Sequence, residues 1–363
     1  MGTVDEVNAA LNDRKKFVVC QIAPSVRVSI GEEFGYAPGT ILTKKIVGAM
    51  KGAGFDRVLD TSTAADIVTA EEGTELLTRL GENEGLPLLT SCCPASVLFV
   101  ENNFPNFLPH FCTVKSPQQS MGALIKTHYA RRMKVARKNI YSVSVMPCIV
   151  KKMEARRPEM EFNGVPHVDA VLTTREAAEL LKLRGIDLQK SKNAEFDQIL
   201  GIGSGAGQIF GTTGGVTEAM LRFVSRKLDG ENSRIDFREI RGEAGFRDAN
   251  VAIGKRMLRV AIVDGLNNLR DLMSNNEKFH SYDVIEIMTC PGGCVGGAGQ
   301  PASTPQKIEA RRNALFEIDA SEKVRTAMDN PAVKNIYKNY FGNPLSQAST
   351  SILHVKRICL KCT

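Results

Sequence analysis

The sequence predicts an α/β protein, and three observations support this fold class. Short runs of apolar and β-branched residues, typical of buried strands, recur along the 363 residues. Segments with helical periodicity and recognisable capping residues lie between these runs, and such alternation is typical of α/β folds. Cysteines follow three of the runs closely, at the position where open α/β sheets bind their ligands.

Six segments predict strands because each is apolar, rich in β-branched or aliphatic residues and short. In chain order they are Phe17–Ile22, Leu88–Leu89, Ile140–Met146, Val168–Leu172, Leu258–Val263 and Val284–Met288.

Capping residues mark the helices between these strands. Ser116 offers an N-cap and, with Gln119, a capping box that opens on a proline. Thr173 and Glu176 form a second capping box. The helices that we expect are Ile41–Met50, one from Pro117 to about Ala136, and Glu176–Leu183.

The last sixty residues have a different character, with charged helical segments followed by a tail. These segments are Lys307–Phe316, Ser321–Asp329 and Ala332–Tyr340. No Pro- or Ser-rich linker divides the chain, so we expect a single domain. It would span residues 1–363, with approximate lobes 15–145 and 146–300 and a C-terminal helical segment 301–363.

Composition and charge limit the classes of function that the chain can have. Apolar residues make up 43% and charged residues 24% of the chain, as in ordinary globular proteins. No signal peptide and no apolar run of about 18 residues is present, so we expect a cytoplasmic protein without a membrane span. The net charge of +7 is spread over the chain and indicates solvated surfaces or docking of an acidic partner. With no Trp and 6% aromatic residues, nucleic-acid binding is not expected.

Nine cysteines are unusual in a chain of this size, and in an intracellular protein they favour metal binding or catalysis over disulfides. They stand at positions 20, 92, 93, 112, 148, 290, 294, 359 and 362. A lone cysteine is usually a small buried hydrophobe. The spacing matches neither zinc ribbons nor small ferredoxins, which leaves a site assembled from distant loops.

Three cysteine segments together closely resemble the signature motifs of the [FeFe]-hydrogenases. They read TSCCPAS at 90–96, MPCIVKKME at 146–154 and MTCPGGCVGGAGQP at 288–301. The resemblance extends to QIAPSVRV at 21–28, GEEFG at 31–35, KSPQQ at 115–119 and GAGQIFGTTGG at 205–215. It implies the iron-only hydrogenase large-subunit fold, with two α/β lobes of mixed sheets flanked by helices and the cluster in the cleft between them.

The resemblance also implies a cofactor, the H-cluster. In that family four cysteines hold a [4Fe–4S] cubane, and one of them bridges to a two-iron subcluster with CO, CN and azadithiolate ligands. The matching positions are Cys93, Cys148, Cys290 and Cys294, with Cys294 as the bridge.

Residues around the cluster are implied in the same way. Lys151 and Ser25 match groups beside the cyanide ligands, which are anionic hydrogen-bond acceptors. By itself, Lys151 would be taken for a surface lysine in a basic run. Glu154 matches a glutamate that orients its loop. The positions that match cavity-lining residues are Ala23, Pro24, Gln118, Met146, Met288, Phe210 and Gly211.

Proton delivery needs titratable groups in hydrogen-bond reach of one another. Cys92 matches the family's terminal thiol, and Glu72 and Glu75, three residues apart, match two relay carboxylates. Without the resemblance, these glutamates would be read as a solvated helix face. Cys112 stands where many relatives have Ser and is a weaker hydrogen-bond donor. Two further departures are Ser96 in place of Trp and Ala298 in place of Gly.

The implied activity is reversible reduction of protons to molecular hydrogen. Many relatives carry ferredoxin-like domains ahead of the catalytic domain, whereas about 16 residues precede the first predicted strand here. We therefore expect electrons from an external donor such as ferredoxin, and hydrogenase maturation proteins as further partners. Two alternatives are a non-catalytic iron–sulfur assembly factor and a hydrogen sensor of the same fold. Cys92 argues against the first, and the lack of a signalling module argues against the second.

Three features fall outside this interpretation. Cys20 lies in the first predicted strand and is expected in the core. Cys359 and Cys362 form a C-x-x-C pair, either in a frayed tail or in a labile metal or redox site. The glycine-rich segment 201–206 partly matches a dinucleotide fingerprint but lacks its acidic residue, so we expect cavity-lining backbone instead.

Overall fold

The computed structural model describes residues 2–90, 92–242 and 245–355. Its strands are β1 Phe17–Ile22, β2 Arg57–Asp60, β3 Leu88–Leu89, β4 Ile140–Met146, β5 Glu161–Phe162, β6 Val165–Pro166, β7 Ala170–Thr173, β8 Phe246–Ile253, β9 Arg256–Asp264 and β10 Val284–Met288.

Helices alternate with these strands along the chain. They are α1 Thr3–Asn12, α2 Thr43–Gly52, α3 Thr61–Glu82, α4 Pro94–Asn103, α5 Pro117–Leu124, α6 Ala130–Met133, α7 Lys151–Glu154, α8 Thr174–Leu183, α9 Gly205–Ile209, α10 Gly215–Asp229, α11 Leu266–Met273, α12 Asn276–His280, α13 Pro305–Ser321, α14 Pro331–Ile336 and α15 Gln347–Leu353. None of the helices in the described ranges is long and apolar enough to span a bilayer.

Two four-stranded sheets organise the molecule. One has the order β2-β1-β4-β7 and is parallel throughout. The other has the order β3-β10-β9-β8, with β8 and β9 antiparallel and the remaining pairs parallel. Helix α3 packs against α5, α9 and α10 and carries an almost entirely buried first half. The predicted α/β class is confirmed, and the second sheet is mixed whereas the first is not.

Four of the six predicted strands have the predicted bounds, namely β1, β3, β4 and β10. The run at 168–172 forms a strand only from Ala170, and the run at 258–263 extends at both ends. Strand β8 was not predicted because Arg247, Asp248 and Asn250 interrupt its apolar residues, and only two of its eight residues are buried. Strand β2 has only four residues, which is too short for a periodic signal.

The helix signals are confirmed with corrections. Both bonds of the Thr173 capping box form, whereas at Ser116 only the N-cap bond to the Gln119 amide does. The helix that starts at Pro117 passes through a π-helical segment and ends at Met133, before the predicted end at Ala136, because Lys134 is left-handed (φ 54°). The helix predicted at 321–329 is wrong, since only a 3-10 turn, Ala327–Asp329, forms there.

The two sheets do not divide the chain at the boundary expected between the lobes. Strand β3 precedes residue 145 but pairs with β10 in the second sheet. Strand β7 follows residue 146 but pairs with β4 in the first sheet. The chain therefore passes between the sheets more than once, which brings distant loops to the interface between them. The single domain remains a prediction.

A buried ionic network fixes the helices behind the site. Arg222 on α10 is fully buried and bonds to Glu218 and Asp319, each at 2.7 Å. Asp319 lies so close to Gly205 that a Cβ there would be 2.1 Å from its carboxylate oxygen. The network therefore holds α9, whose end leads into Phe210 and Gly211.

We expect Arg222→Met to destabilise the protein by about 3 kcal/mol, because two buried carboxylates lose their fully buried partner and keep only the partly exposed Arg241 and Arg325. The urea midpoint of the variant, compared with wild type, measures this loss. Lys227→Met is the matched control, since Lys227 is exposed on the same helix. Equal midpoints for the two variants would contradict a stabilising role of the network.

Candidate metal centre

Loops at the carboxyl ends of three strands bring four cysteines together between the two sheets. Cys93 follows β3 and caps α4, Cys148 follows β4, and Cys290 and Cys294 follow β10. Burial raises the pKa of the Cys294 thiol, and the neighbouring thiolates of Cys148, Cys93 and Cys290 raise it further. The pKa of Cys290 is likewise raised to about 11. Burial is the largest cause, and Cys148 and Cys93 contribute in the same direction. The four thiols are therefore within electrostatic range of one another.

The chemistry of these four donors suits an iron–sulfur cluster, which cysteine thiolates hold. Within the described ranges, no three His, Cys, Asp or Glu side chains converge closely enough to hold one metal ion. A [4Fe–4S] cubane takes one thiolate at each iron, so its sulfur ligands stand farther apart than those of zinc. All four cysteines are free thiols. This donor set therefore fits a cubane.

Glycines allow the third cysteine segment to approach its neighbours. Gly292 and Gly293 have φ angles of 74° and 88°, which side chains rarely adopt. A Cβ on Gly293 would lie 2.7 Å from the Thr213 amide nitrogen, and one on Gly297 would lie 2.4 Å from the Pro147 carbonyl oxygen. The segment therefore packs directly on the loop that carries Cys148.

A mostly apolar cavity adjoins the cysteines. The residues that line it are Ala23, Pro24, Ser25, Thr61, Ala65, Cys92, Pro117, Gln118, Met146, Pro147, Cys148, Lys151, Phe210, Gly211 and Cys294. The predicted lining residues are among them apart from Met288, which is buried and belongs to the same core cluster as Phe210. Cys148 and Cys294 face this cavity, whereas Cys93 and Cys290 are not among its lining residues. Such apolar walls exclude water from whatever the cavity holds.

The polar groups of the cavity suit an anionic ligand. Ser25 is buried, and its Oγ has no hydrogen-bond partner in the described part of the chain. Such an orphaned hydroxyl costs about 1–3 kcal/mol unless a ligand satisfies it. Lys151 Nζ donates to the Cys92 carbonyl oxygen at 2.9 Å and to Glu154 Oε2 at 3.0 Å.

Glu154 organises the cavity wall around Lys151. Its Oε2 also accepts from Gln118 Nε2 at 3.2 Å, and Gln118 Oε1 accepts from Ser144 at 2.8 Å. Burial opposes the charged form of Lys151, but the Glu154 carboxylate outweighs it and raises the pKa of the ammonium group. The lysine is therefore a buried, paired cation and not the surface residue that its basic neighbours suggest.

Thiols and carboxylates form a series that starts at the cavity. Burial raises the pKa of Cys92, and the next cause is the carboxylate of Glu72, which is itself buried on α3. Glu72 and Glu75 both influence Cys112, whose Sγ donates to Glu75 Oε2 at 2.9 Å. Glu75 is 15% exposed and pairs with Arg79. Cys92 thus lies at the cavity and Glu75 near the surface, and Glu72 and Cys112 are buried residues within electrostatic range of them.

Sequence reasoning missed several residues of the site. Thr289 Oγ1 lies 3.3 Å from Cys93 Sγ, and its position next to Cys290 could have indicated this contact. Arg79 follows Glu75 at i,i+4, which is also a recognisable signal. Thr61 and Ala65 line the cavity from the first turns of α3, and no sequence signal distinguished them.

The remaining predictions have simple outcomes. Cys20 is buried in the core of the first sheet, as expected. Ser96 is buried, and its hydroxyl donates to the Cys93 carbonyl oxygen at 2.8 Å. Gly203 and Gly207 pack against the Ser62 backbone, so this glycine-rich segment serves close packing on α3. Cys359 and Cys362 lie outside the described residues.

A fold of two sheets with four partly buried thiols and an adjoining apolar cavity is that of an iron–sulfur protein. The chain belongs to the iron-only hydrogenase family. Residues 16–298 match the family model "Iron only hydrogenase large subunit, C-terminal domain", and residues 305–356 match "Iron hydrogenase small subunit".

Similar proteins agree with this assignment. Over 96% of its own length, the chain is 43% identical to the NADP-reducing hydrogenase subunit HndD of Solidesulfovibrio fructosivorans. Over 97% of its own length, it is 41% identical to iron hydrogenase 1 of Clostridium pasteurianum. It spans 61% and 63% of those relatives. The apo [FeFe]-hydrogenase HydA1 of Chlamydomonas reinhardtii superposes with a TM-score of 0.88 at 34% identity, covering 99% of both chains. Protein NAR1 of Arabidopsis thaliana is 30% identical over 98% of the chain and 80% of its own length.

Proposed function

We propose that this chain catalyses the reversible reduction of protons to molecular hydrogen at an H-cluster. The observation that carries the proposal is the set of Cys92, Glu72, Cys112 and Glu75, in which Cys92 lines the apolar cavity and Cys112 donates a hydrogen bond to Glu75 near the surface. A site for proton reduction needs such a series because each turnover consumes protons in a place closed to water.

The four cysteines at the strand ends would hold the cofactor. Cys93, Cys148, Cys290 and Cys294 would ligate the [4Fe–4S] cubane, and Cys294 would bridge to the two-iron subcluster. Cys294 suits the bridge because it belongs to the thiol quartet and also lines the cavity. When bound, the cofactor supplies the hydrogen chemistry, and its iron sites carry CO, CN and azadithiolate ligands.

The residues around the cavity would hold the cofactor's anionic groups. The Ser25 hydroxyl is available to one acceptor, and the Lys151 ammonium group offers a charge-assisted hydrogen bond to another. Gln118 and Glu154 fix the position of Lys151 from the opposite side. Ala23, Pro24, Met146, Phe210 and Gly211 would keep the cavity dry.

Protons would move along side chains of this chain. Glu75 would receive a proton near the surface and exchange it with the Cys112 thiol, to which it is hydrogen-bonded. Glu72, whose carboxylate influences the pKa of both Cys112 and Cys92, would pass the proton to the Cys92 sulfur at the cavity wall. Burial raises the pKa of both thiols, so each would hold a proton rather than a charge.

An iron–sulfur assembly role is the second candidate, because NAR1 and the cytosolic iron–sulfur assembly component 3 of Mus musculus match nearly the whole chain at 30% and 29% identity. A protein that only holds or transfers clusters has no use for a protonated thiol at the cavity. Cys92 and its carboxylate neighbours therefore favour the hydrogenase function.

The source of electrons and the cellular context belong to the same proposal. An external carrier, such as a ferredoxin, would reduce the cubane, and the net charge of +7 suits an acidic carrier of this kind. Maturation proteins would insert the two-iron subcluster. The protein would act in the cytoplasm.

The proposal predicts carbonyl and cyanide infrared bands after maturation with the two-iron cofactor, together with hydrogen evolution from reduced viologen. The cofactor supplies the bands, and the apolar cavity retains it. The matched control is the same protein carrying only its cubane, which should show neither signal. A protein with a complete cubane that never acquires these bands would exclude the hydrogenase function and favour the assembly role.

A further inference from the structure

The segment before residue 356 docks against the loop that carries Cys112. Val114 and His354 form an antiparallel bridge, and the Lys115 amide donates to the Leu353 carbonyl oxygen at 2.7 Å. The Val355 amide donates to the Thr113 carbonyl oxygen at 2.9 Å. On the other side of the loop, the Cys112 amide donates to the Leu89 carbonyl oxygen at 2.8 Å. The Cys112 loop is therefore held between β3 and the segment that follows α15.

The side chain of His354 connects this loop to helix α3. Its Nδ1 lies 2.8 Å from Thr113 Oγ1, and its Nε2 lies 3.1 Å from Glu71 Oε2. An imidazole that donates from Nε2 to the carboxylate and accepts the threonine hydroxyl at Nδ1 satisfies both contacts. The ring is 8% exposed, so little water competes for these bonds.

Glu71, which accepts the hydrogen bond from that ring, is itself held in place by further hydrogen bonds. The Tyr337 hydroxyl donates to its Oε1 at 2.6 Å, and the Leu345 amide donates to its Oε2 at 2.7 Å. The carboxylate is fully buried. With three partners from the segment 337–354, it ties helix α3 to the part of the chain that matches the small-subunit model.

His354 links Thr113 to Glu71, and both of these residues lie next to members of the series Cys92, Glu72, Cys112 and Glu75, which we call the proton series. Glu71 directly precedes Glu72 on α3, and Thr113 directly follows Cys112. The hydrogen bond from Cys112 to Glu75 must cross the same gap between loop and helix that His354 spans. A thiol is a weak hydrogen-bond donor, so it does little to hold this distance by itself.

We propose that His354 is a positioning residue of the proton series. Through Thr113 and Glu71, it sets the distance between Cys112 and the two glutamates of α3, Glu72 and Glu75. It neither contacts the cavity nor carries the proton. This inference rests on the proposed function and adds a residue from outside the three cysteine motifs.

His354→Ala tests the proposal in the matured holoenzyme with reduced viologen as the electron donor. We expect kcat per bound cofactor to fall about tenfold, less than the loss of about 10²–10⁴ for a group that transfers the proton itself. The KM for viologen should not change, because electron entry is untouched. The solvent deuterium isotope effect on kcat should increase, since proton transfer would limit turnover. Infrared band intensity gives the amount of bound cofactor.

Two variants and a control sharpen the test. His354→Gln can still donate to Glu71 but cannot also reach Thr113, so we expect an intermediate kcat. Thr113→Val removes the other contact and should resemble His354→Gln. His280→Ala is the control, because His280 is an exposed histidine at the end of α12, and it should match wild type in every readout.

A purely structural role would lower the infrared bands and the hydrogen output in parallel, with no change in the isotope effect. That result would overturn the inference, as would an unchanged kcat in His354→Ala. Both results leave an active wild type and hence the proposed function intact. A matured wild type without hydrogen evolution would overturn the proposed function and this inference with it.

Discussion

Cys92→Ala is expected to lower hydrogen evolution per bound cofactor by about 10²–10⁴-fold, the range typical of a lost proton-transfer group. The Cys92 thiol is the member of the proton series that lines the cavity, and burial keeps it in the protonated form. Alanine removes the sulfur without adding bulk. The backbone carbonyl of residue 92, which accepts from Lys151, stays in place. The cofactor should therefore bind while turnover collapses.

Infrared spectra and viologen-driven hydrogen evolution, measured on the same preparation, separate binding from turnover. Cys20→Ala is the matched control, since it removes a buried thiol from β1, away from the cavity. The control should keep both the bands and the activity. Full turnover in Cys92→Ala would move the proton route to other residues. Loss of the bands in Cys92→Ala would assign the thiol to cofactor binding.

Local sequence patterns predicted the strands that frame the site because these strands are short and largely apolar. Strands β1, β4 and β10 are buried on both faces, so their composition alone marks their ends. Strand β8 has only two buried residues and carries polar residues that interrupt its apolar ones, so no strand was predicted there. The helix predicted at 321–329 was wrong because Arg325 turns inward there, where it bonds to Asp319 and Asp236. Such tertiary contacts override helix propensity.

Sequence order could not predict which sheet each strand joins. Strands β3 and β10 are nearly two hundred residues apart, yet they pair and carry Cys93 and Cys290 to the same place. Spacing within a motif does not encode such pairing, since it depends on the connections between sheets. For the same reason, the contact between His354 and Glu71, from opposite ends of the chain, has no local signal.

The resemblance to a family supplied the site where residue patterns alone did not. Taken by themselves, Glu72 and Glu75 would suggest a solvated helix face, but Glu72 is fully buried and Glu75 is hydrogen-bonded to a thiol. Lys151 would suggest a surface lysine, but it is buried and paired with Glu154. Burial of a charged group depends on its partners, and those partners come from elements distant in sequence. Met288 is buried but is not among the residues that line the cavity, so its role beside the cluster stays a prediction.

Cys294→Ala is expected to abolish hydrogen evolution and to remove the carbonyl and cyanide bands completely. Cys294 is within electrostatic reach of Cys93, Cys148 and Cys290 and also lines the cavity. It is thus placed to hold the cubane and the two-iron subcluster at once. Alanine would remove the only covalent link between the two parts that the proposal provides, so the two-iron part would not be retained.

Cys290→Ala is the informative comparison, because Cys290 belongs to the thiol quartet but is not among the cavity-lining residues. Iron content and the electron paramagnetic resonance of the reduced cubane would report the first part of the cofactor, and infrared bands would report the second. We expect Cys290→Ala to lose cubane signal and infrared bands in proportion, since the subcluster follows the cubane. Cys294→Ala should lose the bands even in molecules that retain a cubane. Bands that persist in Cys294→Ala would assign the bridge to Cys148, the other quartet member that faces the cavity.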